Sequence, residues 1–160
     1  MQTNRKVARL AAAALLSLAF LSCLPSRVLA QRGPDPIIGT WEVSIQGGPP
    51  GNIGFVIVHA DGTIAETSKG DVVSPPVSSP GYGIWAHSQA NNYAMTFKFF
   101  LVGPGPDGYC TAEVRQNLTL TDANHWNGPG DLRCFAADGT TLFEFPLTAT
   151  ASRMRLELLN

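Results

Sequence analysis

Turn-forming residues divide most of this chain into short segments. From Gln31 onward, glycine, proline and Asp-Gly pairs recur about every 10 to 20 residues, and no stretch of 12 residues or more has a helical period. Glycine and proline are the residues least compatible with a helix interior, so a protein built from long helices is excluded. The segments between the turns are rich in β-branched and aromatic residues, which predicts short strands.

Eight such segments occur, each joined to the next by a turn or loop. The predicted strands are 37–46, 53–60, 63–67, 81–87, 93–102, 110–120, 124–135 and 141 to about 158. The longest connection, 69–80, is rich in proline and serine. Because closing a sheet removes its exposed edges, the pattern predicts an all-β fold, a single eight-stranded antiparallel up-and-down barrel. The alternative is an open sandwich of two sheets built from the same strands.

The first thirty residues have the pattern of an export signal. Arg5, Lys6 and Arg9 precede an apolar run over 10–24, and small side chains follow at Val28 and Ala30. Fifteen apolar residues are fewer than the ~20 that a membrane-spanning helix needs. We therefore predict a signal peptide over 1–30 and a barrel domain over 31–160.

Cleavage after Ala30 would place the protein in the periplasm or outside the cell. The alternatives are a membrane anchor and lipid attachment at Cys23. After Gln31 no apolar run approaches spanning length, so stable membrane insertion is not expected. Seven basic and twelve acidic residues lie in 31–160, and this acidic balance argues against nucleic acid as a partner.

Two cysteines, Cys110 and Cys134, lie beyond the predicted cleavage site. A three-residue turn at 121–123 would place them directly opposite each other on neighbouring strands, which predicts a disulfide. Two buried free thiols are the alternative. Residues 128–130 (Gly-Pro-Gly) are expected to form a bulge or break, because proline cannot donate to a strand ladder.

The first predicted strand carries a short motif. It reads Gly39-Thr40-Trp41, and a Gly-x-Trp at the start of an eight-strand exported chain resembles the lipocalins and the wider calycin group. Residues 81–101 resemble exported bacterial proteins described as lipocalin-like. The resemblance implies that Trp41 closes one end of the barrel. It also implies that Arg153 or Arg155, from the last strand, packs over the indole ring as a cation–π contact.

Aromatic side chains are the main candidates for a ligand site. Those on strand faces that could line the barrel are Phe55, Trp85, Tyr93, Phe97, Phe99, Trp126, Phe143 and Phe145. Such walls suit a small hydrophobic molecule oriented by a few polar groups. The alternative is that the same rings simply fill the core.

Polar candidates are few, and no catalytic motif accompanies them. They are His59, His87, Gln116 and His125, with Glu66, Glu113 and Glu144 as possible acids or bases. His59 is expected to point inward at a strand end, whereas Glu113 and Glu144 are expected to face outward. No metal-binding spacing, nucleophile motif or phosphate-binding loop is present, so no metal or cofactor is expected. The sequence Asn117-Leu118-Thr119 matches a glycosylation acceptor, but it falls in the middle of a predicted strand.

Three functions are compatible with these features. The first is an exported barrel that binds or carries a small hydrophobic ligand, and this is the function we favour. The second is a cyclase or isomerase of the calycin type that confines its substrate in an apolar cavity. The third is a filled structural barrel without a ligand. An enzyme would show a buried polar pair such as His59 with Tyr93 or Gln116, and a filled barrel would have no cavity of ligand size. The oligomeric state is not predicted.

Overall fold

The fold is a closed barrel of eight antiparallel strands that follow one another in chain order. The computed structural model describes residues 34–46 and 53–158, so the predicted signal peptide, with Cys23, lies outside the described residues. The strands are β1 Gly39–Gln46, β2 Ile53–Val58, β3 Thr63–Ser68, β4 Gly81–Gln89, β5 Asn92–Val102, β6 Tyr109–Asp122, β7 His125–Phe135 and β8 Thr141–Arg153. A single helical turn, α1 (Lys69–Val72), lies between β3 and β4. The predicted all-β barrel is confirmed.

The pairing of β1 with β8 closes the barrel. Trp41 lies opposite Arg153, and Val43 lies opposite Ala151. On its other side β1 pairs with β2, where Trp41 lies opposite Val56. Since every strand has two neighbours, the sheet has no free edge, and the open sandwich is excluded.

Alternation along each strand separates an apolar interior from a more polar outer face. In β6 the inward positions from Cys110 to Leu120 are buried, while the positions between them are partly or fully exposed. The largest side chains that the barrel buries completely include Trp41, Trp126 and Tyr93. Burying a large apolar side chain stabilises a fold by roughly 1.5–3 kcal/mol, so these rings are major contributors to the core.

The turn between β6 and β7 differs from the predicted one. Asp122 pairs with His125, so the turn has two residues, and a register shift follows before Leu120 pairs with Trp126. Cys134 consequently lies opposite Ala112 rather than opposite Cys110. The predicted disulfide is present as a diagonal link between β6 and β7, with a Cα–Cα distance of 5.8 Å. The shift is by two residues, which keeps both cysteines on the inner face, buried in the barrel wall.

The predicted interruption at Gly128-Pro129-Gly130 is confined to the ladder with β6, where Gly128 and Pro129 are not paired, and it neither shifts the register nor ends the strand. Strand β7 runs through these residues, and Pro129 pairs with Thr148 of β8. The register with β6 is the same on both sides of the proline, with Gln116 opposite Gly130 and Thr119 opposite Asn127. A Cβ atom on Gly128 would lie 1.9 Å from the Asn117 carbonyl oxygen. The glycine therefore lets β6 approach closely where the proline cannot donate a hydrogen bond.

The predicted face of β2 is also wrong. Gly54, Val56 and Val58 point into the barrel, whereas Phe55 is 42% exposed on the outer face. His59, in the turn after β2, is exposed as well. Both faces of this strand carry β-branched or aromatic residues, so alternation alone did not identify the inner one.

Two ends of the barrel are distinguished below. The Trp41 end is where β1, β5 and β7 begin, and the disulfide end is where β6 and β8 begin and β1 ends. Strand β8 ends at Arg153, so the predicted extension to about residue 158 is wrong. Within the two described ranges, no helix is sufficiently long and apolar to cross a membrane.

Candidate functional site

The Trp41 end is closed by the indole ring and an arginine. Trp41 is fully buried, and its Nε1 donates a 2.8 Å hydrogen bond to the Ile37 carbonyl oxygen. The guanidinium carbon of Arg153 lies 4.1 Å from the centroid of the ring. Arg153 also donates hydrogen bonds to the backbone carbonyls of Pro36, Ile38 and Ala123. Arg155 lies beyond β8, is exposed and takes no part in this cluster.

The glycine of the Gly-x-Trp motif makes room for that arginine. A Cβ atom on Gly39 would lie 2.4 Å from Arg153 Nη1, and the φ angle of Gly39 is +143°, which other residues rarely adopt. The three positions Gly39, Trp41 and Arg153 therefore form one structural unit. Its role is to seal this end of the barrel.

A second cluster fixes the chain entering β1 against the same end. The Asp35 carboxylate accepts a 2.8 Å hydrogen bond from the Tyr93 hydroxyl, and its other oxygen lies 2.9 Å from His87 Nδ1. Burial raises the pKa of Asp35, but hydrogen bonds from Tyr93, the Ile37 N–H and His87 outweigh it and hold the pKa below its ordinary value. Burial, followed by the bond to Asp35, raises the pKa of Tyr93. Asp35 is therefore ionised at neutral pH and anchors the entering segment.

The disulfide end is less completely filled. The inward-facing rings Phe99, Phe143 and Phe145 are only partly buried there, as are Ile45 and Leu132. Phe143 and Phe145 stack with centroids 6.0 Å apart, and Phe97 and Phe99 stack at 6.2 Å. We call the five partly buried residues Ile45, Phe99, Leu132, Phe143 and Phe145 the aromatic cup. It is an accessible apolar surface at the disulfide end of the barrel.

A carboxyl group lies inside the barrel toward this end. Glu66 of β3 is on the same face as the buried Ile64, and among the described residues its carboxyl group accepts no hydrogen bond. Burial, with a smaller effect of the nearby Asp71 carboxylate, raises the pKa of Glu66 to about 7. Asp71 itself is held by hydrogen bonds from Ser78 and from the Ser68 backbone, so it is not a partner for Glu66.

Two glycines give the Glu66 carboxyl its space. A Cβ atom on Gly81, which lies directly opposite Glu66 on β4, would be 2.9 Å from Oε2. A Cβ atom on Gly54 of β2 would be 3.3 Å from Oε1. Both glycines face inward, so the carboxyl extends across positions where other strands carry apolar side chains.

Glu66 lines a small interior cavity together with two other polar groups. The cavity has a volume of about 30 Å³, roughly that of one water molecule. Gln116, only 6% exposed, also lines it and donates a 3.1 Å hydrogen bond from Nε2 to the Gly128 carbonyl, which leaves its Oε1 as an acceptor. Trp126 also lines the cavity, and its buried Nε1 has no hydrogen-bond partner among the described residues. Apolar side chains form most of the remaining wall.

The predicted ligand-lining aromatics therefore do not form one surface. Trp85, Tyr93 and Trp126 lie toward the Trp41 end; Trp85 donates a hydrogen bond to the His59 carbonyl, and Trp126 packs edge-on against Trp41. Phe97 is buried in mid-barrel, and Phe55 lies outside. Phe99, Phe143 and Phe145 are the predicted residues that the structure brings together at an accessible site.

The other predicted polar residues lie away from the interior cavity. His59 and His125 are exposed, and His125 interacts with Asp122. The predicted inward orientation of His59 is therefore wrong, and the pair of His59 with Tyr93 or Gln116 that an enzyme would show is absent from the described residues. Glu113 and Glu144 face outward as predicted, paired with Lys98 at 3.0 Å and Arg133 at 3.2 Å. No three metal-ligating side chains cluster anywhere in 34–46 or 53–158.

A larger groove lies on the outer face of the barrel. It has a volume of about 480 Å³ and is open to solvent, with Arg115, Asp131 and Pro129 among its walls. Its charged groups already satisfy each other, because Arg115 donates two hydrogen bonds to Asp131 from Nη2, at 2.8 and 2.9 Å. The described walls of the groove therefore offer no unpaired charge to orient a ligand, and the aromatic cup with Glu66 is the better candidate.

Comparisons with known proteins add no functional information. No protein-family model matches the chain, and no curated protein and no solved structure matches it either.

Proposed function

We propose that this protein is an exported, lipocalin-like barrel that binds a small hydrophobic molecule in the aromatic cup. The proposal rests on the contrast between the two ends. At the Trp41 end the inward rings of Trp41, Tyr93 and Trp126 are buried and Trp85 is partly buried, whereas at the disulfide end three inward phenylalanines keep accessible surface. Accessible apolar surface beside a few polar groups is typical of a small-molecule site.

The interior volume limits where the ligand lies. A cavity of about 30 Å³ is far smaller than the 300–1,000 Å³ of ordinary ligand pockets, so the ligand sits in the cup rather than along the barrel axis. The same volume gives the calycin-type enzyme little support, because confinement needs a cavity of substrate size. It favours the filled structural barrel as the second candidate function.

Export is part of the same proposal. We propose a signal peptide cleaved after Ala30, and the Cys110–Cys134 disulfide supports an oxidising compartment. This compartment is where a small carrier or scavenger of apolar molecules would meet ligands crossing the cell envelope.

Titration with N-phenyl-1-naphthylamine, an apolar dye that fluoresces in apolar surroundings, tests the function. We expect saturable fluorescence enhancement with residues 31–160, and at least a 5-fold loss of affinity in Phe99→Ala, about 1 kcal/mol of lost apolar contact. The matched control is Phe100→Ala, because Phe100 is the next residue on the same strand and lies on the outer face, 54% exposed.

Circular dichroism establishes that both variants remain folded, and Phe143→Ala provides a second cup variant if Phe99→Ala does not fold. Absence of saturable binding would contradict the proposal and support the filled barrel. Equal losses in Phe99→Ala and Phe100→Ala would place the dye on the outside of the barrel, which would also contradict it.

A further inference from the structure

The unpaired carboxyl of Glu66 indicates what kind of polar group the ligand carries. Buried polar side chains nearly always have hydrogen-bond partners, and a buried carboxylate without one is costly. The Glu66 side chain is partly buried, and its carboxyl lies across Gly54 and Gly81 with no hydrogen bond or cation among the described residues. A valine or leucine here would fill the interior at no electrostatic cost, so the stability argument alone does not explain the residue.

A second hydrogen-bond acceptor at this cavity also indicates that the polar group of the ligand is a donor. Gln116 uses its amide nitrogen to hold the Gly128 carbonyl, so Oε1 is the atom left for the cavity. Two acceptors, one of them a carboxylate, require a group that donates more than one hydrogen bond. A primary ammonium group has three donors and no acceptor, whereas carboxylate and phosphate groups have acceptors only and are repelled by Glu66.

The size of the cavity restricts the group further. A cavity of about 30 Å³ favours a compact group such as ammonium over a planar guanidinium. We propose that the ligand is a small apolar amine whose ammonium group enters this cavity beside Glu66 and Gln116 while its apolar body lies in the aromatic cup. The ion pair that results is charge-assisted and sits in surroundings of low dielectric constant, which strengthens it.

Hydroxyl compounds are the competing class. Trp126 is another wall residue of this cavity, and its buried Nε1 has no acceptor among the described residues; a hydroxyl group offers an acceptor and an ammonium group does not. The charge of Glu66 decides for the amine, because a cation compensates the charge of a desolvated carboxylate and a neutral hydroxyl group does not.

Three matched probes test this inference, which rests on the proposed binding function. They are 2-phenylethylamine, 2-phenylethanol and 3-phenylpropionate, titrated into residues 31–160 by calorimetry at pH 8 in phosphate buffer. At this pH the amine is protonated and Glu66, with a pKa of about 7, is ionised. We expect the amine to bind at least 10-fold more tightly than the alcohol, and the propionate to bind most weakly.

Glu66→Gln is expected to lower amine affinity at least 10-fold and to change alcohol affinity less than 2-fold. Glu113→Gln, the same change on the outer face of β6, should alter neither. Binding of all three probes with equal affinity, or equal effects of the two substitutions, would overturn the amine assignment and leave the cup intact. Failure of every probe, together with no binding of the naphthylamine dye, would overturn the binding function itself.

Discussion

Replacing Trp41 with alanine is expected to destabilise the protein by about 3–5 kcal/mol, the range for removing a fully buried tryptophan. The ring is 0% exposed, contacts Trp126 edge-on at 6.3 Å and lies under the Arg153 guanidinium. The substitution also removes the donor to the Ile37 carbonyl and leaves that oxygen without its partner. Urea denaturation of residues 31–160 followed by circular dichroism measures the change.

Substitutions of two arginines, one inside this cluster and one outside it, provide a matched comparison. Arg153→Ala should destabilise by about 2 kcal/mol, because it removes the contact over Trp41 and the donors to three carbonyls. Arg155→Ala should change stability by less than about 0.5 kcal/mol, as expected for an exposed position. A loss below about 1 kcal/mol in Trp41→Ala, or equal effects of the two arginines, would show that this end is not sealed as described.

The stability of the protein is expected to fall as pH rises from about 4.5 to about 7, and Glu66 is the cause. Its pKa is about 7 in the folded protein, against an ordinary value of 4.5, so the folded state holds the proton over this interval and the unfolded state does not. The stabilisation from the Glu66 proton is fully present below pH 4.5, the ordinary pKa, and is lost as the pH rises through about 7, the pKa in the folded protein. Its size is at most about 3 kcal/mol, and less where water reaches the carboxyl.

Comparison with Glu66→Gln isolates this effect. The variant should lack the decrease in stability between pH 4.5 and 7 and should be more stable than the parent above pH 7. Below pH 4.5 the two proteins should have the same free energy of unfolding. Buffers without amines keep the Glu66 cavity free of a competing cation. Parallel stability curves for the two proteins between pH 4 and 8 would mean that Glu66 is solvated in the folded state.

Much of the fold was predictable because turn chemistry and alternation agree along most of the chain. Asp-Gly pairs at 61–62 and 138–139 mark two tight turns, and both glycines have the positive φ that such turns require. The Gly-x-Trp motif located the sealed end correctly, since Gly39 and Trp41 form one unit with Arg153. The closed barrel was predictable because the eight strands follow one another in the chain and most are joined by short connections.

Errors arose where local patterns leave the register undetermined. In β2 both faces are apolar, and the inner face is fixed by pairing with β1, where Val56 lies opposite Trp41. In the β6–β7 hairpin the two-residue turn and the shift after it moved Cys110 and Cys134 from opposite to diagonal positions. A change of turn length by one residue is not visible in composition, but it changes every partner in the ladder.

The candidate site was predicted only in part, for a related reason. Phe99, Phe143 and Phe145 were found from aromatic content, but their grouping at one end required the strand order in three dimensions. The sequence identifies Glu66 as a possible acid but does not indicate that it lies inside the barrel. Two sequence features indicate that Glu66 faces inward: its alternation with Ile64, and the glycines at 54 and 81. These residues come close together only when β2, β3 and β4 pair.

The closed barrel is the claim on which the sealed end, the cup and the cavity all depend. Solution NMR of residues 31–160 tests it through nuclear Overhauser effects between backbone protons across the β1–β8 seam, from Trp41 with Arg153 to Gln46 with Thr148. We expect these effects to be as strong as those between β4 and β5. Their absence, with the other seven seams intact, would show an open sheet and contradict this account.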